Sequence, residues 1–354
     1  MTHYTINSNN PKRLNFRSLR YRRQKISAML ASNNGHAVKN CMLHSAGNKI
    51  TVMLNSNTGH ACYSGLMTCG SVWDCPICSA KISSRRGEEI KISADKWKLS
   101  GGAVVMVTYT IRHNLGDSLK TLSNTMTDAI RYVHSGLPYK RLKNKYKIAG
   151  TISATEILFN PTNGWHYHKH QLLFIKSKDI NTSELQDWLF NRYNHYLNNN
   201  GFDVLPGIGV VVSDVESDVL PEYIAKWGLE DELTSDTKNS ESLHPFQLLD
   251  NEKYYHKFIE YSNTMMGKRR LTWSKGLRDL VGLDQEQSDL ELASELSEDL
   301  VEVINIEPEV WRYIVINDLR SDVLDQAELR MNNFIEWFEY RIKIPAYKKL
   351  FIAV

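Results

Sequence analysis

Three histidines alternate with other residues in one short segment of the chain. His166, His168 and His170 occupy every second position of the run His-Tyr-His-Lys-His. Because successive side chains of a β-strand point to opposite faces, a strand here places all three imidazoles on one face. A single histidine in such a place is more often structural, whereas three on one face indicate a metal site.

A facing carboxylate is predicted on the preceding strand. Residues 160–164 separate two β-rich runs and carry strong turn signals. If this turn pairs Phe159 with Trp165, antiparallel register places Glu156 opposite His168 on the same face. Mixed oxygen and nitrogen ligands with room for water suit Mg²⁺ or Mn²⁺ and phosphate chemistry. The candidate ligands of this divalent metal are Glu156, His166, His168 and His170.

A tyrosine and a lysine one helical turn apart form a second candidate group. A helix is predicted over residues 218–227, on which Lys226 follows Tyr223 on nearly the same face. The two side chains can then share one phosphate group. A tyrosine hydroxyl, with a pKa of about 10, is a weak nucleophile until a nearby cation or base activates it. A Tyr-x-x-Lys pattern is commonplace, so its meaning depends on the neighbouring motifs.

Five cysteines lie in a short N-terminal segment with metal-ligand spacing. Cys75 and Cys78 form a Cys-x-x-Cys pair, and Cys69 precedes them by six residues. Zinc binds four thiolate or imidazole ligands in a tetrahedron, and these three are the first candidates. The candidates for the fourth ligand are Cys41, Cys62 and His60. A redox-active Cys-x-x-Cys is the alternative, but that motif usually lacks further cysteines upstream.

The elements that must position these residues have the order β-α-β-β-α-β. Strands are predicted over residues 103–111, 150–159, 165–175 and 207–213, and helices over 81–98, 117–133, 182–197 and 218–227. This order is the split βαβ arrangement, which predicts an antiparallel sheet with helices on one face. The predicted fold class is therefore α+β.

Four segments are predicted along the chain. Residues 1–36 form a basic N-terminal arm, and residues 37–98 form the cysteine module with its helix. Residues 99–237 form the sheet domain, and residues 238–354 form a mostly helical C-terminal region. A chain of 354 residues with 42% hydrophobic composition is long and apolar enough for two or three soluble domains.

Charge is distributed unevenly although the net charge is only +3. The first acidic residue of the chain is Asp74, and the basic arm also carries Phe16 and Tyr21, as expected of a segment that grips phosphates and stacks on bases. A solvated, disordered tail is the alternative interpretation. The residues predicted to contact DNA are Arg17, Arg20, Arg22, Arg23, Lys268, Arg269 and Arg270. Residues 284–309 carry ten acidic and no basic side chains, so we expect them to face away from DNA.

The sequence indicates a cytoplasmic protein without a membrane partner. It contains no apolar run of the roughly 18 residues that a membrane span needs. The N-terminus lacks the short apolar core of a secretory signal. Cysteines spaced as metal ligands, instead of as a disulfide framework, agree with a reducing compartment.

Four motifs occur in order along the chain, beginning at Cys69 (CGSVWDCPICSAKI), Thr108 (TYT), Gly164 (GWHYHKH) and Tyr223 (YIAK). They resemble those of plasmid rolling-circle replication initiators, the Rep proteins of the HUH endonuclease superfamily. Residues 245–249 and 271–277 also resemble the C-terminal portion of that family. The resemblance covers about residues 41–283.

The resemblance implies an HUH endonuclease domain over residues 99–237. Its fold is a five-stranded antiparallel sheet with the histidines on a central strand and the tyrosine on a following helix. Tyr223 would attack the scissile phosphodiester and keep the 5′-phosphate, and the released 3′-hydroxyl would prime DNA synthesis. The implied metal ligands are Glu156, His168 and His170, with His166 as a further candidate. The resemblance favours Cys41 as the fourth zinc ligand.

The chain departs from the family pattern at two places. The middle residue of the family's His-x-His pair is hydrophobic, which fits Tyr167 but not Lys169, so both overlapping histidine pairs remain candidates. Some relatives carry a glutamate four residues before the tyrosine, where this chain has Val219. In those relatives the glutamate activates water at termination of replication. Asp218 or Glu222 can substitute for this glutamate, or the chain rejoins the DNA circle in another way.

Three functions are compatible with these motifs. The first is an initiator that nicks the double-strand origin of a plasmid, rejoins strands at termination and works with a host helicase and replication machinery. The second is a zinc-stabilised DNA-binding or copy-control protein without catalysis, which has no use for an open metal site. The third is a transposase or relaxase of the same superfamily, although relaxases generally place the tyrosine before the histidines.

Overall fold

The computed structural model describes residues 11–31, 36–47, 49–215, 241–330 and 333–352. The chain divides into two compact units, Ala80–Gln287 and the two terminal parts Met1–Ser79 and Ser288–Val354. Both ends of the chain therefore belong to one unit. The domain limits predicted at residues 36, 98 and 237 stay predictions.

The described residues form a mixed α+β fold. The strands are β1 (Ile50–Asn55), β2 (Ala61–Ser64), β3 (Ala103–Thr110), β4 (Ile148–Asn160), β5 (Gly164–Ile175), β6 (Val210–Asp214), β7 (Leu271–Trp273) and β8 (Leu300–Ile306). The helices are α1 (Pro11–Leu30), α2 (Pro76–Leu99), α3 (Leu119–Val133), α4 (Gly136–Lys145), α5 (Thr182–Asn199), α6 (Tyr255–Met265), α7 (Leu277–Leu280), α8 (Asp289–Ser294), α9 (Pro308–Ile316), α10 (Arg320–Leu329), α11 (Phe334–Phe338) and α12 (Ile344–Ile352). Among the described residues, no helix has the length and apolar character needed to cross a membrane.

A five-stranded antiparallel sheet is the framework of the unit Ala80–Gln287. Its strand order is β6-β3-β5-β4-β7, so β5, which carries the three histidines, is the central strand. This confirms the predicted antiparallel sheet and the central position of the histidine strand. The order β-α-β-β-α-β is also found, with α4 as an additional helix between α3 and β4.

The β4–β5 hairpin has the register predicted from its turn. Phe159 pairs with Trp165 and Glu156 pairs with His168. The Asn160 side-chain oxygen accepts hydrogen bonds from two backbone N–H groups of the turn. Gly164 has a φ of 86°, and a Cβ there would lie 2.9 Å from the Asn114 carbonyl oxygen, so both conformation and space require glycine.

Helices pack on both faces of this sheet, and the expectation that they lie on one face was wrong. Helices α3 and α5 cover the face opposite the histidines, where Tyr193 makes an edge contact with Tyr109. On the histidine face, Ile90, Ala94 and Trp97 of α2 join one apolar cluster with strand residues of the sheet. These three residues are spaced four and three apart, and such an apolar stripe on a helix must be buried.

A three-stranded antiparallel sheet, in the order β2-β1-β8, is the framework of the other unit. Strand β8 comes from the acidic segment, and β7 of the larger sheet also lies in the C-terminal region predicted as mostly helical. The predicted basic arm forms helix α1 over Pro11–Leu30. Lys25 of α1 lies beside Asp318, and Arg17 forms ion pairs with Asp325 and Glu328 of α10. Helix α1 is thus part of a folded unit.

Candidate metal centres

The first candidate centre lies on β5, where each histidine meets a residue of a flanking strand. His168 faces Glu156 of β4, and His170 faces Thr108 of β3. Because all three β5 histidines are two residues apart, their side chains share one face of the sheet. Backbone hydrogen bonding on both sides of β5 fixes the spacing of these side chains.

Glu156, His168 and His170 bring ligand atoms together in a group suited to a metal ion. The Glu156 Oε2 atom lies 2.8 Å from His170 Nε2 and 3.5 Å from His168 Nδ1. Neighbouring ligands of an octahedral Mg²⁺ ion are separated by roughly 3 Å, since its metal–ligand distances are about 2.1 Å. One carboxylate oxygen and two imidazole nitrogens therefore fit a divalent ion that keeps positions for water and substrate.

Burial differs among the three side chains in a way that leaves one side open. The side chains of His170, Glu156 and His168 are 9%, 16% and 28% exposed. Burial opposes ionisation of Glu156, but its hydrogen bonds with His168 and His170 outweigh that effect and lower its pKa to about 2. Glu156 is therefore a carboxylate at neutral pH, and His168 forms the more accessible side of the group.

Thr108 supports His170 from the neighbouring strand. The Thr108 hydroxyl lies 3.1 Å from His170 Nδ1, while His170 Nε2 points toward Glu156. A histidine that gives one nitrogen to a metal commonly donates its other N–H to a fixed acceptor. The Thr-Tyr-Thr motif of β3 thus supplies a residue that orients the ring, a role that the sequence did not reveal.

His166 belongs to a hydrogen-bonded chain of its own. His113 Nδ1 lies 3.0 Å from the Asn163 carbonyl oxygen, which only accepts, so Nδ1 carries the proton. In neutral His113 the Nε2 atom is then an acceptor, and His166 Nδ1, 3.2 Å away, must donate to it. The remaining His166 Nε2 is a buried acceptor with no hydrogen-bond partner among the described residues.

The structure groups His168 and His170, but not His166, with Glu156. Burial lowers the pKa of His166 to about 4, and the neighbouring His113 and His168 act in the same direction. His166 is therefore neutral at physiological pH. Its role as a direct ligand stays a prediction. The sequence does not reveal the contact of His113 with His166, because nothing in the local pattern links two residues 53 positions apart.

The second candidate centre is formed by Cys41, Cys69, Cys75 and Cys78, whose sulfur atoms all lie within 4.8 Å of one another. The Cys41–Cys78, Cys69–Cys78 and Cys41–Cys75 sulfur distances are 3.5, 3.6 and 3.6 Å. These distances are far longer than a disulfide bond of about 2.05 Å. They approach the roughly 3.8 Å expected between thiolates around tetrahedral zinc with Zn–S bonds of about 2.3 Å.

Backbone and side-chain hydrogen bonds hold the four cysteines in place. The N–H groups of Cys78 and Ser71 each lie 3.4 Å from a cysteine sulfur. The Asp74 carboxylate lies 2.9 Å from the Ser71 hydroxyl and 3.0 Å from His36 Nδ1. Hydrogen bonds with Cys41, Cys69 and Cys75 lower the pKa of Cys78 well below its usual value. The structure groups Cys41, and not Cys62 or His60, with the other three cysteines, and its assignment as the fourth zinc ligand stays a prediction.

The chain is similar in sequence to known proteins from Streptomyces species. The chain is 26% identical over 310 residues to a protein named Protein rep from Streptomyces lividans, an alignment that covers 64% of this chain and 67% of that protein. The resemblance to plasmid Rep proteins is confirmed. The chain is also 28% identical over 135 residues to a neomycin resistance protein from Streptomyces cyanogenus, which covers 31% of each protein. No family model and no solved structure matches.

Tyr223 and Lys226 lie outside the described residues, as do Asp218, Val219 and Glu222. Their assignment as nucleophile, supporting cation and alternative termination residues stays a prediction. Strand β6 ends at Asp214, eight residues before Glu222 in the chain. The sheet order places β6 beside β3, which pairs directly with the histidine strand.

The basic residues predicted to contact DNA occupy different environments. Arg17 is held by two carboxylates and Arg23 is buried, which argues against direct phosphate contact by either. Lys268 donates to Ser123, and Arg270 is buried beside Ser83. The Arg269 side chain is 71% exposed, although it lies 3.7 Å from Glu286. The remaining predicted contacts, Arg20 and Arg22, lie on α1.

Proposed function

We propose that this chain initiates rolling-circle replication of a plasmid by nicking one strand at the double-strand origin. The observation that carries the proposal is the group of Glu156, His168 and His170 on the central strand of a five-stranded antiparallel sheet. Similarity to a protein named Protein rep supports a role in plasmid replication. An open site with one oxygen and two nitrogen ligands suits phosphodiester chemistry.

Tyr223 is proposed as the nucleophile. Its hydroxyl gives up a proton as the oxygen bonds to the scissile phosphorus, the bond from phosphorus to the 3′-oxygen breaks, and that oxygen takes up a proton to become the 3′-hydroxyl primer. The 5′-phosphate remains on the tyrosine, and Lys226 balances negative charge on the phosphate. A bound Mg²⁺ or Mn²⁺ supplies Lewis acidity that polarises the phosphate. A later attack by the free 3′-hydroxyl on the phosphotyrosine rejoins the strand.

The residues around the proposed catalytic metal have distinct tasks. Glu156 supplies the negative charge that attracts the cation, and its low pKa keeps that charge at neutral pH. His170 is held by Thr108, so its nitrogen position is fixed before the metal binds. His168 lies on the exposed side of the group, where a DNA phosphate can enter.

The four-cysteine group is proposed as a structural zinc site. Its ligand set is complete without water, which is typical of structural sites and not of catalytic ones. Cys41, Cys75 and Cys78 are buried, so an ion held by them is shielded from substrate. Zinc here would stabilise the unit that also contains α1 and the β2-β1-β8 sheet.

A nicking assay on supercoiled plasmid DNA carrying the cognate origin tests the proposal. We expect open circles whose 5′ end carries covalently bound protein when Mn²⁺ is present, and none when it is chelated. The variant His168→Ala should bind the same origin without nicking it. Origin binding by the wild-type protein without any nick or adduct in Mn²⁺ would favour a copy-control protein without catalysis.

A further inference from the structure

A lysine-lined cavity lies at the end of the larger sheet that is remote from the histidines. Its volume is about 580 Å³, and its walls include Lys143, Asn144, Lys147 and Lys176. Lys147 precedes β4 and Lys176 follows β5, where a backbone hydrogen bond of 3.2 Å joins the two residues. His168 lies seven residues before the end of β5, so roughly 24 Å of strand separates the cavity from the metal centre.

Among the residues that the structure describes, the ammonium groups of the three cavity lysines have no hydrogen bond, ion pair or aromatic partner. Their neighbour Lys145 differs, because it lies in an ion pair with Glu184. Three like charges around one cavity repel one another, and a bound anion removes that cost.

The chain segment that contains Lys143 and Lys147 carries no negative charge of its own. Between Asp128 and Glu156 the chain contains no acidic residue. The basic residues of that interval are Arg131, Lys140, Arg141, Lys143, Lys145 and Lys147. The Glu184 carboxylate is engaged by Lys145 and by the Tyr146 hydroxyl. Asp279 precedes the wall residue Leu280 but is not itself part of the cavity wall.

Lys147 has a left-handed backbone conformation, which glycine and asparagine adopt more readily than lysine. Its φ is 51°, in the left-handed region where glycine and asparagine are the usual residues. Its N–H lies 3.3 Å from the Asn144 carbonyl oxygen, and its own carbonyl accepts from Lys176, so the backbone there is fixed. A lysine that occupies a strained, fixed position and has no partner among the described residues is a candidate for ligand binding.

We infer that this cavity binds the phosphate groups of a DNA strand. Lysines act as point charges toward phosphate oxygens, and the Asn144 side-chain amide can donate a hydrogen bond to one. Ala149 and Leu280 add an apolar wall against which sugars can lie, and no aromatic residue of the wall is available for base stacking. Phosphate and sugar, not bases, are therefore the recognised chemistry.

The choice of DNA as the polyanion rests on the proposed function. A B-form strand has one phosphate per about 3.4 Å, so roughly seven nucleotides separate a phosphate in this cavity from one at the metal centre. The contact would be independent of base sequence and would fix the direction of the strand that leaves the nick.

The test compares two variants that each remove three lysine charges from the same unit. The cavity variant is Lys143→Gln/Lys147→Gln/Lys176→Gln. The control is Lys91→Gln/Lys120→Gln/Lys253→Gln, at exposed positions outside the cavity. Binding of a fluorescent origin oligonucleotide is measured by anisotropy at several salt concentrations, and circular dichroism verifies that both variants are folded.

We expect the cavity variant to bind roughly tenfold more weakly at moderate salt. The slope of log affinity against log salt concentration should fall by an amount that corresponds to about two to three phosphate contacts. The control should stay within a few-fold of wild type. A third variant with arginine at the three cavity positions retains the charges and should bind like wild type. Equal weakening of the cavity variant and the control would show only an effect of net charge and overturn the inference, as would wild-type binding by the cavity variant.

Free phosphate compounds are the other source of the same chemistry. Calorimetric titration with inorganic phosphate and with ATP distinguishes them from the DNA backbone. Loss of phosphate or ATP binding in a cavity variant that still binds DNA like wild type would reassign the cavity to a small ligand. Adduct formation with origin DNA is measured separately. If the cavity substitutions weaken DNA binding but the wild-type protein forms no adduct, the proposed nicking function is contradicted and the inference about the cavity is not.

Discussion

Glu156 is the residue on which the candidate catalytic centre depends, because His168 and His170 both approach the same carboxylate oxygen. In a metal site this oxygen and the two imidazoles are pulled together by the ion. Without the ion, hydrogen bonds with the two imidazoles hold the Glu156 carboxylate in place and keep its pKa low.

We expect Glu156→Ala and His168→Ala each to abolish Mn²⁺-dependent nicking while origin binding persists. In chelator, Glu156→Ala should lower the melting temperature at neutral pH, because the hydrogen bonds that hold the pKa of Glu156 at about 2 stabilise the folded protein. His168→Ala should lower it less, because His168 is the more exposed partner and lies 3.5 Å from the carboxylate. Thermal melting in EDTA and nicking in Mn²⁺ are measured together. Strongly lowered melting with retained nicking would exclude the metal assignment.

His113 is expected to act as a positioning residue for His166. The hydrogen bonds from the Asn163 carbonyl through His113 leave His166 with a proton on Nδ1 and an acceptor at Nε2 that has no partner among the described residues. Nitrogen-15 NMR should show this tautomer, and His166 should stay neutral down to about pH 4, in line with its lowered pKa.

The variant His113→Ala should lose this tautomer preference and nick more slowly, while His113→Gln restores part of the rate through a hydrogen bond to His166. An unchanged His166 spectrum in His113→Ala would contradict the prediction.

Tyr223 is expected to be the nucleophile. The variant Tyr223→Phe should form no covalent protein–DNA adduct, because only the attacking oxygen is lost. Origin binding should remain within a few-fold of wild type, since phosphate contacts supply affinity. Denaturing gel electrophoresis with end-labelled DNA detects the adduct. An adduct formed by this variant would move the nucleophile to another tyrosine.

At the scale of elements, α1 supports the cysteine centre through two side-chain hydrogen bonds to backbone carbonyl oxygens. The Gln24 side chain donates to the Cys41 carbonyl oxygen at 2.8 Å, and the Ser27 hydroxyl donates to the Asp74 carbonyl oxygen at 2.6 Å. Both side chains are buried, and each accepting residue is a cysteine of the group or its direct neighbour. The basic N-terminal segment is therefore a structural helix in addition to any role in DNA binding.

Two serine substitutions on α1 test this function of the helix. Ser27→Ala should lower the free energy of unfolding by about 1–3 kcal/mol, because it leaves the buried Asp74 carbonyl without its donor. Ser18→Ala, at an exposed position of the same helix, should be neutral or stabilise by up to about 0.5 kcal/mol. Urea unfolding measures both. Equal effects of the two substitutions would indicate that α1 does not support the cysteine centre.

At the scale of the whole molecule, the two ends of the chain meet in one unit that contains the cysteine centre. Strand β8 pairs with β1, so the three-stranded sheet is completed only by a segment about 250 residues further along the chain. Metal binding near the N-terminus should therefore stabilise a unit that includes the C-terminal part.

We expect Cys75→Ser to release zinc and to destabilise or aggregate the protein, because a structural metal contributes folding free energy directly. Cys62→Ser is the matched control, since Cys62 lies outside the four-sulfur group. Metal analysis should find about one equivalent of zinc in wild type and in Cys62→Ser, but less than half an equivalent in Cys75→Ser. Zinc retained by Cys75→Ser would contradict the four-cysteine site.

Local patterns in the sequence determined much of the larger sheet and both metal groups. Period-two alternation and one turn were enough to pair Glu156 with His168, because hairpin register depends on residues only a few positions apart. Cysteine spacing named three members of the four-sulfur group, and the family resemblance named Cys41. Only the tertiary structure placed His113 against His166, packed α2 on the histidine face and brought β8 to β1. These contacts join distant segments, and their formation depends on which apolar surfaces bury one another in the folded chain, a property that no local pattern encodes.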